Sequence, residues 1–147
     1  NNLSNLECNH ISNALCYVDK NPYSWIYLPD SEIKAHRMIM TGNFSPNNNN
    51  PNLTDKISCT VEFSGNVSQE AIITDLSKLP FSPKLIDINQ GAEAYVIQSK
   101  FSRGIISDLQ KELSKHNIYL CGRFAQWEYM NMDIAIHSAM LTCEAIS

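Results

Sequence analysis

The chain has 147 residues, enough for a domain with a sizeable core, and its 44% hydrophobic and 18% charged residues are ordinary for a globular protein. A formal net charge of -4 argues against a nucleic-acid binder or a ligand of acidic membranes. No apolar run reaches the length of a membrane span and no charged leader precedes an apolar stretch, so the expectation is a soluble, cytoplasmic protein without membrane or nucleic-acid partners.

The chain opens on Asn1 without a methionine, which fits a processed or excised protein. Residues 1–9 are polar and expected to be loose. Residues 12–18, the aromatic segment 23–28 closed by Pro29-Asp30, and residues 36–40 read as three strands. Residues 43–52 hold Ser-Pro, a run of asparagines and Asn-Pro without periodicity, so they read as a surface loop. Residues 57–63 alternate as a strand. Ser68 caps a helix carrying Ala71, Ile72, Leu76 and Leu79, and Pro80 stops it. Residues 84–89 alternate again, and Ala94-Tyr95-Val96-Ile97 extends or follows them. A helix from Arg103 sets Ile105, Ile106, Leu109 and Leu113 on one stripe and ends at Lys115-His116-Asn117. Residues 118–121 read as a short strand, and a final helix runs from about Met132. The predicted class is α+β: a mainly antiparallel sheet of about six strands, two internal helices, and a C-terminal strand-loop-helix.

Side chains for a nucleophile or a metal are hard to assemble. The five cysteines, Cys8, Cys16, Cys59, Cys121 and Cys143, are odd in number and contain no C-x-x-C pair, so they read as reduced and mostly buried thiols. His10, His36, His116 and His137 fall in no metal spacing and adjoin no nucleophile. No catalytic side chain and no metal site are predicted.

Residues suited to an anion stand out more. Residues 118–140 run from an apolar stretch to Gly122-Arg123, through an aromatic loop, to a helix opening near Asn131. Glycine lets a backbone approach a ligand, and exposed N–H groups at a helix start favour phosphate. Arg37, in a strand, and Arg123, after Gly122, offer guanidinium forks that match phosphate or carboxylate. Tyr95 and Tyr129 can add hydroxyl donors. Surface ion pairs for the arginines and core packing for the tyrosines account for the same residues.

Four segments together carry a family resemblance. Trp25-Ile-Tyr-Leu-Pro-Asp30 resembles the W-x-Y-x-P-(D/E) strand of flavin-dependent UDP-galactopyranose mutases. His36-Arg37 with Asn43-Phe44-Ser45-Pro46 is similar to the (Y/H)-R…N-(Y/F)-S-P segment of their divergent eukaryotic-like branch. Ala94-Tyr95-Val96-Ile97 resembles the G-Y-P segment. Gly122-Arg-Phe-Ala-Gln-Trp-Glu-Tyr129 with Met132-Asp133 resembles the closing G-R-(F/Y/L)-G-x-(W/Y)-x-Y…(M/Q)-D segment, which the wider amine oxidase and protoporphyrinogen oxidase superfamily shares. Ala125 stands where a glycine is common and Val96 where a proline is usual, departures that bear on the substrate more than on the fold.

The resemblance implies a longer parent whose N-terminal dinucleotide-binding part holds FAD and has no counterpart in this chain. Residues 1–117 would be the substrate-domain sheet and helices, and residues 118–147 the strand-loop-helix of the FAD-binding region. It implies a ring-contraction isomerisation, UDP-galactopyranose to UDP-galactofuranose, in surface-polysaccharide or lipopolysaccharide synthesis. Arg37 and Arg123 would neutralise the pyrophosphate of the UDP-sugar, and Tyr95 and Tyr129 would hydrogen-bond it. Gly122 would give the flavin room, and Met132 and Asp133 would meet FAD at the helix start. The chain alone is not expected to hold FAD or to turn over. Its partners would be the missing FAD-binding part and, through uncovered apolar surface, a second copy. The alternatives are an amine oxidase or protoporphyrinogen oxidase-like oxidoreductase and a non-catalytic binding module.

Overall fold

Ile57, Cys59, Val61 and Phe63 alternate with Ser58, Thr60 and Glu62, and that period of two builds the middle of the fold. The structure is a computed structural model that describes residues 2–146. Its strands are β1 (Cys8–Asp19), β2 (Trp25–Tyr27), β3 (Ala35–Ile39), β4 (Lys56–Ser64) and β5 (Lys84–Val96). They form one five-stranded sheet in the order β2-β3-β4-β1-β5. The pairs β1/β4, β2/β3 and β3/β4 are antiparallel. The α-helices are α1 (Gln69–Leu76), α2 (Lys100–Ser114) and α3 (Met132–Ile146). The class is α+β with a mainly antiparallel sheet and a helix at the C-terminal end, as the sequence predicts. No helix among the described residues is long and apolar enough to cross a membrane.

The chain divides into two compact units, residues 10–92 and residues 2–9 with 93–146. These are cut differently from the functional division at residue 117 that the resemblance implies.

In the unit of residues 10–92 the core lies on one sheet face. Ala14, Cys16 and Val18 of β1, Met38 of β3, and Cys59, Val61 and Phe63 of β4 are fully buried there. Ile72 and Leu76 of α1 join the same cluster. Burying each large side chain contributes about 1.5–3 kcal/mol. Ala35 and Met38 are both buried although three residues apart, because a bulge between Ala35 and Arg37 absorbs the extra residue. Ser68 caps α1, its hydroxyl accepting from the Ala71 N–H at 3.3 Å.

Cys16 and Cys59 are directly opposite in the β1/β4 register. Burial pushes both thiols up to about 12. Cys121 and Cys143 are exposed, so the expectation of mostly buried cysteines is corrected. Thiolate is the reacting form, so iodoacetamide at pH 8 should label Cys121 and Cys143 in the native protein, and Cys16 and Cys59 only after unfolding. Peptide mass mapping would read this. Fast native labelling of Cys16 or Cys59 would contradict the burial.

The asparagine-rich loop is more ordered than its composition suggests. It holds two short 3-10 turns, Thr41–Asn43 and Pro46–Asn48. Asn43 Nδ2 donates to the Asn21 and Tyr23 carbonyls at 2.9 and 2.8 Å. Asn48 Nδ2 donates to the Thr41 carbonyl at 2.8 Å, and Asn49 Nδ2 to the Gly42 carbonyl at 2.9 Å. The side-chain amides thus take the place of a backbone ladder.

In the other unit, Ser99 caps α2, and a reciprocal bond from Ser102 completes a capping box. The helix therefore starts at Lys100, a little earlier than the Arg103 expected. Asn117 closes it with a φ of 58°, and the Ile118 N–H donates to the Leu113 carbonyl at 3.1 Å. Residues 118–121, expected as a sixth strand, join none of the five strands. The helix end has taken the Ile118 N–H, and no strand ladder satisfies the rest. Every described residue of α3 is at least partly accessible, and Met132, Ile136, Met140, Leu141 and Ile146 are exposed.

Candidate functional site

The residues singled out by sequence fall into two groups, one in each unit. Tyr95 is the next-to-last residue of β5, and Arg123 and Tyr129 lie in the aromatic loop before α3. The Tyr95 and Tyr129 rings stack, their centroids 6.3 Å apart and their planes 18° from parallel. The Arg123 guanidinium carbon stands 4.8 Å from the Tyr95 centroid and 4.7 Å from that of Tyr129. Phe124 adds a third ring at 5.9 Å. Ring faces attract the cation and leave its N–H edges for a hydrogen-bonding partner.

Arg123 Nε and Nη2 are buried and have no hydrogen-bond partner. Trp127 Nε1 in the same loop is also buried and unpartnered. Orphaned buried donors cost about 1–3 kcal/mol each, more for a charged group. Donors in this state suit an oxygen-rich anion. Trp127 adopts a φ of 51°, a left-handed conformation that the tight loop imposes and that the sequence did not signal.

Gly122 has a φ of 84°, and a Cβ there would meet no atom within 4 Å. The space beside it suits the close approach of a flat group. Met132 is 85% exposed at the start of α3, and Asp133 lies in its first turn. The Ala135 N–H bonds the Asn131 carbonyl at 3.0 Å, so the N–H groups of residues 132–134 are the unclosed ones of the first turn. Gly122 and the α3 start thus offer open space and unclosed N–H groups of a kind that suits a flat, oxygen-rich group.

The second group lies on the sheet face opposite the core, in residues 10–92. Tyr27, Arg37, Glu62 and Asn13 fall in one cross-strand row, since Tyr27 pairs with Arg37, Arg37 with Glu62, and Glu62 with Asn13. Alternation does aim Arg37 at a sheet face. It bonds the Glu62 carboxylate through Nε. Glu62 is a residue that sequence reading missed, because only the register shows it facing Arg37. His36 Nε2 lies 3.5 Å from the same carboxylate.

Desolvation holds the His36 imidazole below its ordinary value, Glu62 opposes that shift, and Arg37 adds to it. In the unfolded chain His36 returns to about 6.5. Its contribution to stability is thus full above that value and is lost as pH falls below it, because the unfolded state takes the proton first. The urea midpoint should drop between pH 7.5 and pH 5.5, and the drop should be smaller in His36→Gln. An equal or larger drop in the variant would contradict this.

No protein-family model matches the chain, and no curated protein sequence matches it. Among solved structures, the crystal structure of a reduced UDP-galactopyranose mutase superimposes with a TM-score of 0.75 at 22% sequence identity. The two share a fold. The match covers 97% of this chain and 33% of the mutase chain, so this chain spans about a third of the mutase's length.

Proposed function

We propose that the chain is the C-terminal, substrate-domain part of a UDP-galactopyranose mutase-like flavoprotein. The observation that carries this reading is the Arg123 guanidinium, held over Tyr95 and Tyr129 with two buried nitrogens unpartnered. The four sequence segments and the mutase-like fold support it.

In this reading Arg123 neutralises the pyrophosphate of UDP-galactopyranose, and Tyr95 and Tyr129 orient it through their hydroxyls; Arg37, in the other unit, is a further arginine suited to an anion. FAD, held beside Gly122 and at the α3 start, supplies the chemistry at the anomeric carbon when bound. The protein's share is orientation and charge neutralisation, so no general base is required. Met132 and Asp133 mark the backbone N–H groups that would face the cofactor's oxygens. The exposed apolar face of α3 would meet the upstream FAD-binding part of the parent, or a second copy where that part is absent. The setting is cytoplasmic synthesis of a surface polysaccharide or lipopolysaccharide precursor.

The test uses the product of the full gene. It should be yellow, and its dithionite-reduced flavin spectrum should respond to UDP. Arg123→Ala should weaken UDP binding roughly tenfold or more, as loss of charged hydrogen bonds does. A colourless product, or UDP binding unchanged in Arg123→Ala, would sink the reading.

A further inference from the structure

Arg123 and Tyr129 lie in residues 122–129, outside every helix and strand, so something other than regular structure has to hold them. Backbone bonds give this loop its internal shape. The Gln126 N–H donates to the Gly122 carbonyl at 2.9 Å, and the Glu128 N–H to the Arg123 carbonyl at 3.0 Å. Both bonds start and end within the loop, so they do not orient it against the flanking chain. The Gln126 side chain does. Its Nε2 donates to the Leu120 carbonyl at 3.2 Å, ahead of the loop. Its Oε1 accepts from Ser138 Oγ at 2.7 Å, in the second turn of α3. A carbonyl only accepts, so the amide nitrogen must face Leu120 and the amide oxygen is left for the Ser138 hydroxyl. A carboxylate in this place would repel the Leu120 carbonyl and add a negative charge beside Arg123. Gln126 and Ser138 are both half-buried, so water competes for these bonds only in part.

We propose that Gln126 is the positioning residue for the loop of Arg123 and Tyr129: its amide ties the loop to Leu120 and to α3, and so holds the Arg123 guanidinium where it meets the diphosphate of a nucleoside diphosphate ligand. This rests on the anion role of Arg123 proposed above. Gln126 acts through Arg123 and not on the ligand. A guanidinium fork matches phosphate oxygens in a narrow set of orientations. A loop released from its flanks spreads over several arrangements, and apparent affinity falls with the fraction that stays competent. A competent fraction of about one in ten means about a tenfold loss.

The experiment measures UDP binding by calorimetry to the product of the full gene, unaltered and as Gln126→Met, Ser138→Ala, Ser138→Thr, Thr142→Ala and Arg123→Ala. Methionine keeps the length of glutamine and removes both bonds. Urea unfolding records the stability of each variant. The Arg123 Nε–H resonance in a nitrogen-proton correlation spectrum reports the loop itself, because the faces of the Tyr95 and Tyr129 rings shift it upfield. Gln126→Met should lose about tenfold in UDP affinity, with most of that ring-induced shift. Ser138→Ala should lose about three- to fivefold, and Ser138→Thr, which keeps the hydroxyl, should stay within about twofold. Thr142 Oγ1 donates to the Ser138 carbonyl at 2.8 Å, a bond inside α3. Thr142→Ala should therefore lower the urea midpoint and leave affinity and shift unmoved. A Gln126→Met protein that loses stability but keeps its UDP affinity and its Arg123 shift, with Arg123→Ala still weakened, overturns the positioning role alone. Where Gln126→Met does not fold, the serine variants decide: unchanged affinity in Ser138→Ala, or no rescue in Ser138→Thr, overturns it. UDP binding that Arg123→Ala leaves unchanged, or a product that does not bind UDP, overturns the anion role of Arg123 and this proposal with it.

Discussion

Replacing Gly42 with alanine should cost about 3 kcal/mol of folding stability, the scale of an overpacked site that also breaks a hydrogen bond. Gly42 is buried between the asparagine-rich loop and β4. A Cβ there would lie 2.0 Å from Asn49 Oδ1, 2.7 Å from the Ser58 backbone nitrogen and 2.9 Å from Ile57 Cβ. Asn49 has little freedom to move away. Its Oδ1 accepts from the Ser58 N–H at 2.9 Å, and its Nδ2 donates to the Gly42 carbonyl at 2.9 Å. If Asn49 swings out, the Ser58 N–H and the Gly42 carbonyl both lose a partner. If it stays, the backbone of β4 has to give. Gly104→Ala is the control. Gly104 sits inside α2, where a Cβ meets nothing within 4 Å, so the change should stabilise by up to about 1 kcal/mol through helix propensity. Urea unfolding would read both. A Gly42→Ala variant within about 0.5 kcal/mol of the unaltered chain would mean the loop repacks freely.

That glycine marks a limit of what sequence alone conveys. The strands with clean alternation, such as residues 57–63, were legible because the period of two is a local property. So was α1, whose cap Ser68 and stop Pro80 bracket an apolar stripe. The loop of residues 43–52 was legible as a loop, and its internal order was not. Its order depends on which carbonyl each asparagine reaches, and those partners come from residues 17–23, 41–42 and 58. Residues 118–121 failed in the opposite way. Their apolar run has the local look of a strand, but a strand is defined by a neighbour, and Ile118 closes the end of α2 instead.

The candidate site divides along the same line. Tyr95, Arg123 and Tyr129 were singled out first as side chains suited to an anion and then by a resemblance, and the structure brings all three within ring-contact distance. Arg37 was chosen with them, and it lies on a sheet face bonded to Glu62. Glu62 and Trp127 were not chosen. Glu62 looked like one polar residue in an alternating strand, and its meaning comes from a register set by a bulge at residues 35–37. Trp127 looked like one aromatic among several, and its meaning comes from a positive φ and an orphaned Nε1. Both signals are properties of three-dimensional pairing, which composition and spacing do not encode.

Asp75 offers the second large test, because it separates the role of an acceptor from that of a charge. Its carboxylate is 4% exposed at the C-terminal end of α1. Oδ2 accepts from the backbone N–H groups of Lys34 at 2.5 Å and Ala35 at 3.3 Å, tying the helix to the start of β3. Oδ1 lies 3.4 Å from Lys78 Nζ. The Lys78 side chain is half accessible and water can replace its contact, so the ion pair contributes little. The Ala35 N–H has no such replacement, since Ala35 is buried and begins a strand, whereas Lys34 is exposed. Asp75→Ala should therefore cost about 2–3 kcal/mol, the scale of one orphaned buried donor with the loss of a second, exposed hydrogen bond. Asp75→Asn keeps one carbonyl oxygen that can accept both N–H bonds and turns its amide toward Lys78, so it should cost only about 1 kcal/mol. Chemical denaturation of the two variants decides the matter. If Asn costs as much as Ala, the negative charge and not the acceptor holds α1 against β3, and the weight given to the backbone bonds is wrong.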